Sequence, residues 1–130
     1  MGTGGFRFAY LTPHYDQTVS FYRDILEFPV SETWNRNADD RGTLFEAGGG
    51  FIEVLARPEN GEADFVFDQR PPQGAFMVVQ VRNARNSFLR AQEKGAPIRE
   101  GLVDRPWGHR SFCVSEPNGL IVYFYEEIVA

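Results

Sequence analysis

The feature that most constrains this chain is that one order of structural signals runs twice along it. From Phe6 to Leu55, and again from Ala75 to Tyr125, the pattern is strand, helix, then three strands, at an offset of about seventy residues. A four-stranded sheet carrying one helix covers only one of its faces, and the other face must be buried or used. Two such sheets can face each other and enclose a cavity. The duplication therefore predicts an α+β protein of two tandem βαβββ modules, at about 5–56 and 75–126, joined by a linker over 57–74. A length of 130 residues suits one domain built this way.

In the first half, Phe6 to Leu11 is apolar apart from Arg7, and Pro13 closes the run, which predicts a strand ending in a turn. Asp16 is the expected N-cap of a helix that presents Val19, Tyr22, Ile25 and Leu26 on one face and ends before Pro29. Strands follow at Val30–Trp34, Thr43–Glu46 and Phe51–Leu55. They are separated by the polar run 35–42 and by the glycine triplet Gly48 to Gly50, a hairpin turn rather than a phosphate cradle because a strand follows it.

The connection from Arg57 to Gly74 carries three prolines and several acids, with Phe65, Val66 and Phe67 in its middle requiring burial on the body or on a partner chain. Then the order restarts. Ala75–Val81 reads as a strand, Asn83 as the cap of a helix with Ala84, Phe88, Leu89 and Ala91 on its apolar face, and Gly95 as the residue that ends it. Strands at Ile98–Val103, Ser111–Val114 and Leu120–Tyr125 complete the set. The last two are joined by Glu116-Pro117-Asn118-Gly119, a strong turn signal.

Composition excludes several classes of function. Hydrophobic residues are 42% and charged residues 24%, ordinary for a folded domain and unlike a disordered one. The net charge of −5, with Lys94 the sole lysine, disfavours a phosphate backbone as partner, so no nucleic acid is expected, and weakly favours a cationic ligand. No apolar run approaches the ~20 residues that span a bilayer, and no signal peptide opens the chain, so the expected place is the cytoplasm, away from membranes. Cys113 is the one cysteine, which excludes an internal disulfide and reads as a buried, inert thiol. Neither a nucleophile elbow nor a zinc-protease helix motif occurs.

The run Thr18-Val-Ser-Phe-Tyr22 followed by Leu26, the step Pro106-Trp-Gly-His-Arg110 before a strand, and the turn-strand Glu116-Pro-Asn-Gly-Leu-Ile-Val-Tyr-Phe124 resemble the vicinal oxygen chelate superfamily. That group includes glyoxalase I, extradiol dioxygenases, fosfomycin-resistance enzymes and bleomycin-resistance proteins. The likeness runs from about Phe6 to Glu126. It implies two βαβββ modules forming a cleft between curved mixed sheets, and a homodimer.

In the metal-dependent members, four equivalent positions on the first and last strands of the modules supply His, Glu or Gln ligands. The resemblance places these positions at Arg7, Glu53, Phe76 and Tyr123, 69 positions separating the first-strand pair and 70 the last-strand pair. Arginine is permanently charged and phenylalanine has no donor, so only Glu53 is an ordinary ligand, and neither a metal nor another cofactor is expected.

Strand alternation places Ala9, Leu11, Phe51, Leu55, Val78, Gln80, Ile121 and Tyr125 on the same faces as those four. The expected pocket is apolar and aromatic with a few polar points. Arg7 and Glu53 form either a pair that orients a polar ligand group or a structural ion pair. Phe76, Tyr123 and Tyr125 either stack on a planar or cationic ligand or fill the space of the lost metal. Trp107 is the candidate lid, and Trp34 either lines an opening or packs. Arg110 either closes the pocket or pairs with Glu116. His14 and His109 read as loop residues, solvated or hydrogen-bonded at the surface.

The leading expectation is a metal-free binding protein for a small molecule, of the bleomycin-resistance type. The alternative is a lyase, isomerase or dioxygenase of the same fold with Glu53 as general base, or as metal ligand beside His14 or His109. A third reading is a dimerising structural or regulatory module with 64–68 as an arm.

Overall fold

The computed structural model describes residues 5–38, 40–57 and 73–129. The chain divides after residue 72 into two compact units, and each carries one four-stranded mixed sheet. The predicted tandem βαβββ order is observed: β1 (Arg7–Thr12), α1 (Tyr15–Ser20), β2 (Val30–Asn37), β3 (Asp40–Ala47) and β4 (Gly50–Ala56), then β5 (Phe76–Gln80), α2 (Ala84–Glu93), β6 (Ile98–Arg105), β7 (His109–Ser115) and β8 (Ile121–Glu127). The aromatic run 65–67 and the rest of the linker between 58 and 72 lie outside the described residues. Among the described residues no helix is long and apolar enough to cross a membrane.

In the first unit the sheet order is β1-β4-β3-β2, with β1 parallel to β4 and the other pairs antiparallel. The parallel pairing follows from the connections: the chain returns through the helix so that β2 runs in the direction of β1, and two antiparallel steps then leave β4 running with both. The helix begins at Tyr15, so Asp16 is not the N-cap but a first-turn residue. His14 takes the cap position without a side-chain cap bond, and Asp16 pairs with Arg41 instead, 3.3 Å away. After Ser20 the helix widens into a π-helical turn (Phe21–Ile25) and stops as Glu27 turns to φ 60°, ahead of Pro29. That turn delivers Phe21 and Tyr22 into the core, where Tyr22 is fully buried against Phe45 at 5.4 Å between ring centres, and its hydroxyl meets that of Tyr10 at 3.0 Å. Full burial of such a side chain contributes about 1.5–3 kcal/mol.

The second unit repeats this plan as β5-β8-β7-β6. Asn83 caps α2 as expected, its side chain accepting the Asn86 N–H at 2.9 Å, and Gly95 at φ 80° ends it. Phe88 of α2 meets Phe112 of β7 edge-on at 5.4 Å, and Phe112 stacks on Phe124 of β8 at 5.0 Å. Val114 and Val122 lie fully buried on the same face.

The hairpin strands run longer than the sequence signals suggested. β2 and β3 extend through most of the polar run 35–42, with Arg36 paired to Asp40 at 3.0 Å, and β6 and β7 reach Arg105 and His109. Once the apolar middle of a hairpin pairs, adding polar residues at its open end costs little, since their side chains stay in water.

Candidate functional site

Each helix packs on one face of its sheet, and the chemistry lies on the other. In the first unit the register pairs Arg7 with Phe51, Ala9 with Glu53, Leu44 with Glu53 and Trp34 with Gly42, so these side chains share the helix-free face. Arg7 reaches diagonally across β1 and β4, and its Nη1 donates to Glu53 Oε1 at 3.4 Å. The guanidinium side is half-exposed while the Glu53 side chain is only 16% exposed, so the carboxylate sits low in the face and the arginine covers it. Water screening keeps the pair worth well under ~1 kcal/mol of stability.

Trp34 owes its position to Gly42. Its indole lies across the glycine so closely that a Cβ built there would meet Cζ2, Cε2 and Cη2 of the ring. Cross-strand stacking of an aromatic on glycine covers backbone that no other residue would cover. Trp34 thus belongs to the same face as Arg7 and Glu53, with the Arg36 guanidinium 6.0 Å from its ring centre.

The helix-free face of the second unit is aromatic. His109 and Tyr125 stack at 4.0 Å between ring centres and 17° between planes, and Tyr123 lies 6.2 Å from Tyr125. The Tyr123 hydroxyl is 3.5 Å from His109 Nδ1, and the Tyr125 hydroxyl donates to Gln80 Oε1 at 3.4 Å. Trp107, in the turn between β6 and β7, sets its ring edge toward His109 at 6.4 Å and carries the Arg105 guanidinium 5.7 Å from its centre. Arg105 is itself held by Glu100 and by Ser111 Oγ. Beside this cluster Phe76 is 62% exposed and Val78 53%, large apolar surfaces that a sheet leaves open at a cost unless something uses them.

Arg110 does not join that face. It follows His109 by one residue and so points to the helix side, level with Glu126 across the ladder. It pairs with Asp104, not with Glu116, through two bonds of 2.7 and 3.1 Å. Those bonds hold the Asp104 carboxyl below its usual range and the Arg110 guanidinium above its own. Glu116 is committed elsewhere: buried in the β7–β8 turn, its carboxylate accepts from the Asn118 backbone and from Asn118 Nδ2.

The chain matches the Glyoxalase/Bleomycin resistance protein/Dioxygenase superfamily over residues 6–124. It belongs to that superfamily. No curated protein sequence matches it. Solved structures that share the fold include TioX from Micromonospora sp. ML1, with a TM-score of 0.77 at 20% identity over 97% of this chain and 100% of that one. TnmS3, an antibiotic binding protein from Streptomyces sp. CB03234, aligns at 0.72 and 15% identity over 96% of both chains. A lactoylglutathione lyase from Agrobacterium tumefaciens aligns at 0.72 and 15% over 96% and 94%.

Within the superfamily fold, the residues present do not fit a divalent metal. Such an ion needs three or more oxygen or nitrogen donors converging on a point. The first unit offers one carboxylate, Glu53, already engaged by a guanidinium, and the second offers the phenyl of Phe76 and the phenol of Tyr123 at the corresponding positions. Among the described residues no group of three or more His, Cys, Asp or Glu side chains comes together.

His109 is the residue of the aromatic face that sequence reading misplaced. It does not lie in a loop but is the first residue of β7, stacked in that face. The alternation His109, Ser111, Cys113 against Tyr125 and Tyr123 was the signal, hidden because Pro106-Trp-Gly reads as a loop that runs on through the histidine. His14 stands at the N-terminal end of α1, its backbone N–H donating to the Thr12 hydroxyl, and forms no hydrogen bond or ion pair with Glu53 among the described residues.

Proposed function

We propose that this superfamily member binds a small, flat organic molecule without transforming it, and that the aromatic face of the second unit is where the molecule rests. The observation that carries the reading is the cluster of His109, Tyr123, Tyr125 and Trp107, flanked by exposed Phe76 and Val78: stacked rings with hydrogen-bonding edges at an unburied sheet face. Stacking on such rings suits a planar or cationic natural product. The mismatch of the donor set with a metal supports holding over catalysis, and the likeness to an antibiotic-binding protein agrees with it. Arg7 and Glu53 in the first unit are proposed as a polar contact for the same class of ligand. Arg110 is not among the proposed contacts, because its side chain lies on the helix side.

The experiment is a thermal-shift screen of acridines, quinolines, coumarins and naphthols, repeated on Phe76→Ala and Trp107→Ala. Stabilisation of the wild type that both variants lose supports the reading; stabilisation untouched in both moves the site elsewhere.

A second reading, chemistry at Glu53, has the shared fold of a lactoylglutathione lyase behind it. Metal analysis of the purified protein tests it: one equivalent of Zn, Ni, Mn or Fe would favour the enzyme, and none would favour the binding protein. The proposal extends to a homodimer in the cytoplasm, checked by light scattering and by fractionation of the source cells.

A further inference from the structure

We propose that His109 selects, among flat aromatic ligands, those that carry a neutral hydroxyl on the edge of the ring system. The inference rests on the binding role argued above and narrows it to one ligand chemistry. Imidazole has two nitrogens on different edges of one plane. Here the plane is set by the stack on Tyr125, 17° from parallel, and the Tyr123 hydroxyl stands beside one edge, 3.5 Å from Nδ1. Nε2 makes no hydrogen bond among the described residues, although the ring is half-buried. A ring held by its neighbours with one nitrogen unspoken for is a preorganised hydrogen-bonding edge, and using it costs the protein no further ordering.

The surrounding charges decide what that edge accepts. Across the ladder from His109 stand Arg105 on β6 and Glu127 on β8. The guanidinium of Arg105 is already satisfied by Glu100 and Ser111 and lies against Trp107, while Glu127 is exposed. Arg105 is spent on Glu100 and so offers no free cation to an anionic group, the exposed Glu127 is screened by water, and a cationic group could use Nε2 only in the tautomer that leaves it an acceptor. A neutral group that can donate or accept is what remains. A hydroxyl does both, and so suits either tautomer that the Tyr123 contact imposes.

The test uses three matched pairs: 7-hydroxycoumarin and 7-methoxycoumarin, 6-hydroxyquinoline and 6-methoxyquinoline, 2-naphthol and 2-methoxynaphthalene. Affinities are read by tryptophan quenching at pH 6.5, where the three hydroxyls are neutral. The wild type should prefer the hydroxyl member about tenfold, equivalent to ~1.4 kcal/mol. His109→Phe keeps a stacking ring and should erase the preference, so that each hydroxyl member binds no better than its methoxy partner. His109→Gln restores an edge donor and acceptor and should recover part of it. Binding of both members with no preference in any pair overturns this inference and leaves the binding role intact. A preference that survives His109→Phe overturns it too. Failure of all six compounds to bind overturns the binding role itself.

Discussion

Replacing Gly42 by alanine isolates the placement of Trp34. The backbone at Gly42 is ordinary, so alanine is allowed there and only the space is contested. Its Cβ would lie 2.8 Å from Cη2 of Trp34 and closer still to two other ring atoms. Carbon atoms rest at about 3.5–4.0 Å, so the indole must retreat by roughly 1 Å or more or swing off the sheet. Uncovering ~50 Å² of indole and backbone costs about 1.3 kcal/mol at ~25 cal/mol per Å². Loss of glycine's freedom in the unfolded chain returns about 0.4–1 kcal/mol. The net loss is therefore under ~1 kcal/mol, a fall of at most about 4 °C in Tm. The environment of Trp34, by contrast, changes completely. In a Trp107→Phe background, where Trp34 is the sole tryptophan and is excited selectively, Gly42→Ala should red-shift its emission and raise acrylamide quenching toward that of the urea-unfolded chain, with the urea midpoint only slightly lowered. Unchanged emission and quenching in a folded variant would refute the contact of Trp34 with Gly42 and remove Trp34 from the Glu53 face.

Other outcomes follow from the same geometry. Phe45→Ala, which empties a fully buried site against Tyr22, should cost about 3–5 kcal/mol in urea denaturation. Asn83→Ala removes the cap of α2 and should cost about 1 kcal/mol, whereas Glu53→Gln, at a water-screened pair, should change stability by less than ~1 kcal/mol. Burial pushes the Cys113 thiol up, so the folded state holds its proton more tightly. That contribution to stability is complete below the unfolded thiol's pKa and is lost as pH rises through the folded one. Iodoacetamide at pH 8 should therefore modify the native protein far more slowly than the urea-unfolded chain, as followed by mass spectrometry.

The duplication was legible because it is written in periodicity. Apolar alternation in β4 and β8, Asn83 and Gly95 at the ends of α2, and the Pro117-Asn-Gly turn are local signals, and the observed register agrees with them. What escaped depended on how the strands of a hairpin pair and on where a turn stops. Arg110 stands six residues after Asp104, but the two become partners only when β6 and β7 pair. Asp16 looked like a cap, yet the Thr12 hydroxyl accepts from His14 N and the chain enters the helix two residues early. His109 was lost to a turn signal that extends only through Gly108, whose φ of 89° ends the loop and starts β7.

The central claim is that a flat molecule rests on the helix-free face of β7 and β8. The most direct measurement is a crystal structure with 7-hydroxycoumarin bound. Density stacked beside His109 and Tyr125, its hydroxyl within hydrogen-bond distance of His109 Nε2, is the predicted result. The probe seated on the helix side, or anywhere away from Tyr123, Tyr125 and Trp107, would contradict it.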